Sequence, residues 1–296
     1  MRRLAITTMT IAMVGALLAI SPGFEATAHA AGPLYYLNLG DSVAVGHQPG
    51  SSDGSETLHG YANRLVSDVA SRVQLILENY GCGGATAASL LTTVGCDGGQ
   101  ANDGVPYPTT TQVGAAVNFI NAHPGKVGLV TIAIGGNDFN SCLSLLVPGT
   151  CLSGFLPAMK TNLETIAAQL RAAGGPSMPI IGITYTDDTL VNWLHGRSND
   201  AGVKDWVAEF RNVINPTFAT AYAASKVTVV DVTADFGTYQ PLTKLVKLPP
   251  YGKIPLAVAR ECTLVWMCSE DDQHPTNAGY ALIAREIATA YLKLST

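Results

Sequence analysis

Residues 127–134, Val-Gly-Leu-Val-Thr-Ile-Ala-Ile, form an almost unbroken apolar run that stops at Gly135-Gly136-Asn137-Asp138. A strand that is apolar on both faces has to be covered on both faces, and that is the mark of a parallel sheet flanked by helices. The rest of the chain repeats the theme. Residues 34–39, 74–80, 179–185 and 227–232 read as further short apolar strands. Stretches with helical spacing separate them, at 61–73, 87–94, 112–123, 155–173 and 203–224. Residues 275–294 read as a closing helix with Pro275 in its first turn. Strands alternating with helices make an α/β protein built on a parallel sheet. Residues 235–269, with Pro249-Pro250 and little periodicity, read as an extended loop region.

The first 30 residues read as a signal peptide. Arg2-Arg3 begin it, residues 4–20 are uncharged and largely apolar, and Ala28-His29-Ala30 is an A-x-A cleavage site. The expected organisation is therefore a leader over 1–30 and a single domain over 31–296, secreted as the mature chain. No later run is long and apolar enough to span a membrane. Charged residues make up only 13% of the chain and its net charge is −5, with lysines and arginines scattered. Such a surface offers no basic face to nucleic acid.

All six cysteines fall in the mature part, and an even count in an exported chain argues for disulfides. Six cysteines allow 15 pairings. Their positions form three close couples, which favours Cys82–Cys96, Cys142–Cys151 and Cys262–Cys268, each worth about 2–3 kcal/mol through loop closure. There is no C-x-x-C pair and no nearby histidine couple, so no metal is expected.

Two serines compete for attention. Gly50-Ser51-Ser52-Asp53-Gly54 is a formal G-x-S-x-G, but it lies in a polar loop, whereas a nucleophile elbow needs a strand before it and a helix after it. Ser52 is read as a decoy. Ser42, in Gly40-Asp41-Ser42, follows the first strand directly and opens a helix. That puts it at the carboxyl edge of the sheet, where open α/β folds carry their chemistry. Gly83-Gly84 and Asn137-Asp138 end two other strands and lie on the same edge. Asp271-Asp272-Gln273-His274-Pro275 precedes the last helix. Together these supply a hydroxyl nucleophile, an imidazole base, a carboxylate to orient it, and donors for an oxyanion. The glycine-rich turn at 81–86 lacks the G-x-G-x-x-G spacing, which argues against a dinucleotide.

Taken in order, Gly40-Asp41-Ser42, Gly84-Ala85-Thr86, Gly135-Gly136-Asn137-Asp138 and Asp271-x-x-His274-Pro275 resemble the four blocks of the SGNH (GDSL) hydrolase family. The three cysteine couples further resemble its secreted actinobacterial-type lipase and esterase branch. The resemblance implies a flavodoxin-like three-layer α/β/α sandwich with a five-stranded parallel sheet in the order 2-1-3-4-5. It implies Ser42 as nucleophile, His274 as general base and Asp271 as the residue orienting it, the last chosen over Asp272 on spacing. It implies an oxyanion hole from the backbone N–H groups of Ser42 and Gly84 and the side-chain amide of Asn137. Val43 departs from the leucine of the family's name motif, and Ala85 stands where relatives often carry an acidic residue.

The expectation is a secreted serine ester hydrolase, a monomer without cofactor, acting on lipid or short- to medium-chain acyl esters. A carbohydrate acetylesterase would use the same residues. An inert binding module would show a broken block, and none is broken. The apolar residues of 235–270, among them Tyr239, Leu242, Val246 and Trp266, lean toward acyl-chain binding. His47, His59, His123 and His195 are read as surface residues.

Overall fold

The computed structural model describes residues 32–50, 57–144, 148–196 and 200–295. The signal peptide and Ser52 lie outside them. Five strands, β1 (Leu34–Gly40), β2 (Leu75–Asn79), β3 (Val127–Ala133), β4 (Ile180–Ile183) and β5 (Thr228–Val230), form one parallel sheet in the order β2-β1-β3-β4-β5. This is the flavodoxin-like sandwich. Pro33–Thr296 make up one compact unit.

Alternation along the strands explains the three layers. Successive residues of a strand point to opposite faces. Leu37 and Leu39 of β1 join Val130, Ile132 and Ile180 in one core, beneath Leu163 and Ile166 of the long helix Pro148–Gly174. Tyr36 joins Leu129 and Ile181 in the other, beneath Leu65 and Ile287. Both faces of β1, β3 and β4 are buried, so these strands read as near-continuous apolar runs. In the closing helix, Asn277–Leu294, the residues Tyr280, Ile283, Ile287 and Tyr291 make one buried stripe. Each such apolar side chain contributes about 1.5–3 kcal/mol on burial. Among the described residues, no helix is long and apolar enough to cross a membrane.

After β1 the chain crosses to β2 on one side, and later returns to β3 on the other. The ends of β1 and β3 therefore lie side by side, with Gly40 paired to Ala133, and a crevice opens at this reversal. Gly40 is required there. Its φ is +144°, and an added Cβ would sit 2.0 Å from the Ala133 carbonyl oxygen. The Gln112 side chain clamps the same residue, accepting from the Gly40 N–H at 2.7 Å and donating to its carbonyl at 3.1 Å.

Several elements differ from the sequence reading. The helix expected over 203–224 is split into Asp200–Glu209, a π-helical turn Phe210–Ile214, and Asn215–Ala223. Pro216 has no N–H to give the turn before it, and the widened turn accommodates the missing bond. The helix expected from residue 155 begins at Pro148, so Cys151 sits on it rather than in a loop. The closing helix starts at Asn277, with Thr276 as its cap accepting from the Gly279 N–H, which leaves Pro275 outside the first turn.

The largest correction concerns residues 235–269. They contain a hairpin, β6 (Leu245–Leu248) with β7 (Gly252–Pro255), then helices Leu256–Leu264 and Met267–Glu270. Four-residue strands are too short to leave a periodic signature, and the helix hides its pattern by burying Glu261. Leu242, Val246 and Leu248 pack with Leu190, Val203 and Val258 in a third small core. They support the structure and do not line the pocket beside Ser42. The cysteines pair as 82–96, 142–151 and 262–268, with Cα separations of 5.6, 5.7 and 4.9 Å.

Candidate active site

Ser42 is the first residue of a one-turn helix, Ser42–Val45, that leaves β1 at the crevice. A buried polar network holds this turn in place. Asn38, in the middle of β1, donates to the Ala44 carbonyl at 2.8 Å and to Asn79 Oδ1 at 2.9 Å. Its own carbonyl oxygen accepts from the hydroxyls of Tyr61 and Thr131. Every polar atom of this side chain is engaged, which suits a residue fully buried under the Ser42 turn. Asp41 caps the turn, accepting from the Val43 N–H at 2.9 Å and, through its other oxygen, from the Tyr185 hydroxyl. Burial pushes the Asp41 carboxyl up to about 6, against the opposing pull of these two donors and of His274.

His274 arrives on the loop between the last two helices. Trp266 N–H donates to the His274 carbonyl and Thr276 N–H to the Leu264 carbonyl, so the loop is stitched to the segment before it. His274 Nε2 lies 2.8 Å from Ser42 Oγ, and His274 Nδ1 lies 2.8 Å from Asp272 Oδ1. A carboxylate only accepts, so Nδ1 carries the proton and Nε2 presents a lone pair to the serine hydroxyl. Partial burial pushes the Asp272 carboxyl up, but the His274 ring and N–H outweigh it, helped by His47, and the group sits below its usual range.

The carboxylate partner is thus Asp272 and not Asp271. The reason is local. Asp272 Oδ1 also accepts from the His274 backbone N–H at 2.9 Å, an Asx turn that brings an i−2 carboxylate onto the ring. Asp271 is exposed and takes a left-handed backbone, φ +53°, where the preceding helical turn ends.

Asn137 follows β3 in a short helical turn, Gly136–Phe139, and shares the pocket of Ser42 and His274. Its side-chain NH2 donates to the Ala85 carbonyl at 2.8 Å. That bond fixes which end of the amide is nitrogen and leaves a second N–H for another acceptor. Asp138 accepts from the Ala87 N–H at 2.8 Å, so the third block braces the second. Gly84 has φ +73°, which favours glycine. It lines an adjoining recess with Cys82 and Asp97 rather than the Ser42 pocket itself.

His47, expected at the surface, has its ring 4.1 Å from that of His274, tilted by 47°. Tyr280 of the closing helix anchors its carbonyl at 2.9 Å. Among the described residues, one group, His47, Asp272 and His274, has ligand-type atoms close enough to hold a metal ion, all within 4.8 Å of one another.

Asp188 lines the pocket and is half-buried, and Asp187 and Glu261 are buried. Burial pushes Asp187 up to about 7 and Asp188 up to about 6. Burial, then the neighbouring Asp188 and Asp187, hold Glu261 well above the carboxylate range. Raised carboxyls bind more protons in the folded than in the unfolded chain, so stability is greatest below the unfolded value and is lost as pH rises toward the folded one. Glu261→Gln is expected to raise the melting temperature at pH 8 by about 2–6 °C, and to change it little at pH 4. A lower melting point at pH 8 would mean that the carboxylate is paired.

A hydroxyl, an oriented imidazole, a carboxylate and an amide donor on one edge of a flavodoxin-like sandwich define a fold and site suited to nucleophilic acyl transfer. The family model described as GDSL-like Lipase/Acylhydrolase matches residues 36–287, and the chain belongs to that family. It is a carboxylic-ester hydrolase. Among solved structures, phospholipase A1 from Streptomyces albidoflavus NA297 is 17% identical, with a TM-score of 0.52 over 87% of this chain and 99% of the other. The lipase Lip_vut3 from a goat rumen metagenome is 17% identical, with a TM-score of 0.52 over 87% and 97%. At that identity the likeness is one of fold. No curated protein sequence matches the chain.

Proposed function

We propose that the protein is a secreted enzyme that hydrolyses carboxylic esters of lipid or short- to medium-chain acyl type through an acyl-enzyme on Ser42. The observation that carries this reading is the unbroken line Asp272–His274–Ser42, with both links at 2.8 Å. Ser42 Oγ bonds to the ester carbonyl carbon while Nε2 of His274 takes its proton. The bond from that carbon to the alcohol oxygen then breaks, and His274 returns the proton to the departing alcohol. Water, deprotonated by the same imidazole, attacks the acyl-serine, releases the acid and restores Ser42. Asp272 holds His274 in the tautomer that both steps need. The free N–H of Asn137 and the backbone N–H of Ser42 receive the negative oxygen of each tetrahedral intermediate.

The pairing of all six cysteines supports export to an oxidising compartment, in keeping with the N-terminal leader pattern. Hydrolysis of p-nitrophenyl esters by wild type and Ser42→Ala tests the reading. Ester cleavage independent of Ser42 would overturn it. Asn137→Ala is expected to lower kcat by about 10²–10³-fold, the usual loss for one oxyanion donor. An unchanged kcat would remove Asn137 from the site.

A further inference from the structure

Two cavities of opposite character meet at His274. The first holds Ser42 and Asn137 and has a volume of about 40 Å³. Its deep side is closed by Phe139, Ile183, Val232 and Ile283, each 2% exposed or less. These four belong to the cores on either side of the sheet, so the floor cannot recede without cavity formation elsewhere. A single water needs about 10–15 Å³ on this measure, so the space admits about three waters, or an acyl tail of about two to four carbons.

The second cavity is about 550 Å³, within the range of ligand sites. It shares Asn140, Leu143, Asp188, Gln273 and His274 with the first and widens away from Ser42 toward Thr189, Asn192 and Asp272. Amides, hydroxyls and carboxyls dominate that lining. Such a surface exchanges hydrogen bonds with water for hydrogen bonds with hydroxyl groups, and gains nothing from a hydrocarbon chain.

We infer that the enzyme takes short-acyl esters, acetyl to butyryl, of polyhydroxylated alcohols, with the acyl group in the small apolar pocket and the alcohol in the polar cleft. The inference rests on the ester-hydrolase reading and narrows it. His274 stands where the two cavities join, which is where the departing alcohol oxygen has to receive its proton.

The test is kcat/KM on p-nitrophenyl acetate, butyrate, octanoate and palmitate, and on glycerol triacetate, for wild type, Ser42→Ala, Val232→Ala, Ile283→Ala and Asn192→Leu. Thermal melts accompany each variant, and one that does not fold is left out of the comparison. Ser42-dependent rates are expected to peak at acetate or butyrate and to fall at least tenfold by octanoate. At least one of the two floor variants is expected to raise the octanoate-to-acetate ratio about tenfold, the usual worth of a methylene or more in an apolar pocket. Asn192→Leu is expected to raise KM for glycerol triacetate several-fold more than KM for p-nitrophenyl acetate. A wild-type optimum at octanoate or palmitate would overturn the inference and leave the ester-hydrolase reading standing, as would equal KM effects of Asn192→Leu on both acetates. No Ser42-dependent cleavage of any ester would overturn both.

Discussion

Ser42→Ala is expected to lower kcat for ester hydrolysis by about 10⁴–10⁶-fold while the protein keeps its melting temperature. The size of the effect follows from the proposed role of Ser42 Oγ as the atom that forms the covalent intermediate, and such losses are of this order in serine hydrolases. The fold should not notice the change. The cap of the Ser42–Val45 turn is the Asp41 side chain, and the turn is pinned at Ala44 by Asn38. Ser42 Oγ is hydrogen-bonded to His274, and alanine leaves that loop with its backbone bonds to Trp266 and Leu264 intact. A phosphonate that reacts with activated serines should add to the Ser42 peptide of the wild type and to nothing in the variant. Full activity in Ser42→Ala, or a label on another serine, would remove Ser42 from the chemistry.

Asp272→Asn is expected to cost about 10⁴-fold in kcat, as loss of the orienting carboxylate does in other triads. Asp271→Asn should change kcat by less than about threefold. The two residues are neighbours with the same side chain, so the comparison isolates geometry from charge. An amide at 272 can turn its NH2 toward Nδ1, which forces the ring proton onto Nε2 and takes the lone pair away from Ser42. Asp271 makes no corresponding contact and is exposed. Because His274 holds the Asp272 carboxyl below its usual range, the pair stabilises the loop above the ordinary carboxylate range, and that contribution fades as pH falls through the lowered value. Equal losses in both variants would mean that the loop rearranges in the working enzyme.

The difference between 271 and 272 shows where reading a chain stops. Two adjacent carboxylates precede His274, and spacing favoured Asp271, whereas the imidazole is hydrogen-bonded to Asp272. An Asx turn, formed because His274 N–H and Nδ1 converge on one oxygen, decides the matter. His47 is a similar case. It lies in a polar stretch with no pattern to mark it, and it meets His274 only because the turn after β1 folds beside the loop before the closing helix. Gln112 and Tyr185 hold Gly40 and Asp41 from 72 and 144 residues away, at separations no local pattern reports. Asn38 did leave a signal. A polar residue inside an apolar strand has to find partners, and its place four residues before Ser42 marks it as support for the turn that carries Ser42.

What the sequence determined by itself was the layered α/β architecture, the strand ends that carry polar chemistry and the serine that follows a strand. These are local matters of burial period, turn residues and helix starts, which act over a few positions. Only the tertiary structure decided which carboxylate is hydrogen-bonded to His274, what braces the Ser42 turn, that residues 245–264 hold a hairpin and a helix, and how small the pocket beside Ser42 is. Each of those depends on side chains that meet across the sheet edge from distant parts of the chain, and their distances are set by packing rather than by neighbours in sequence.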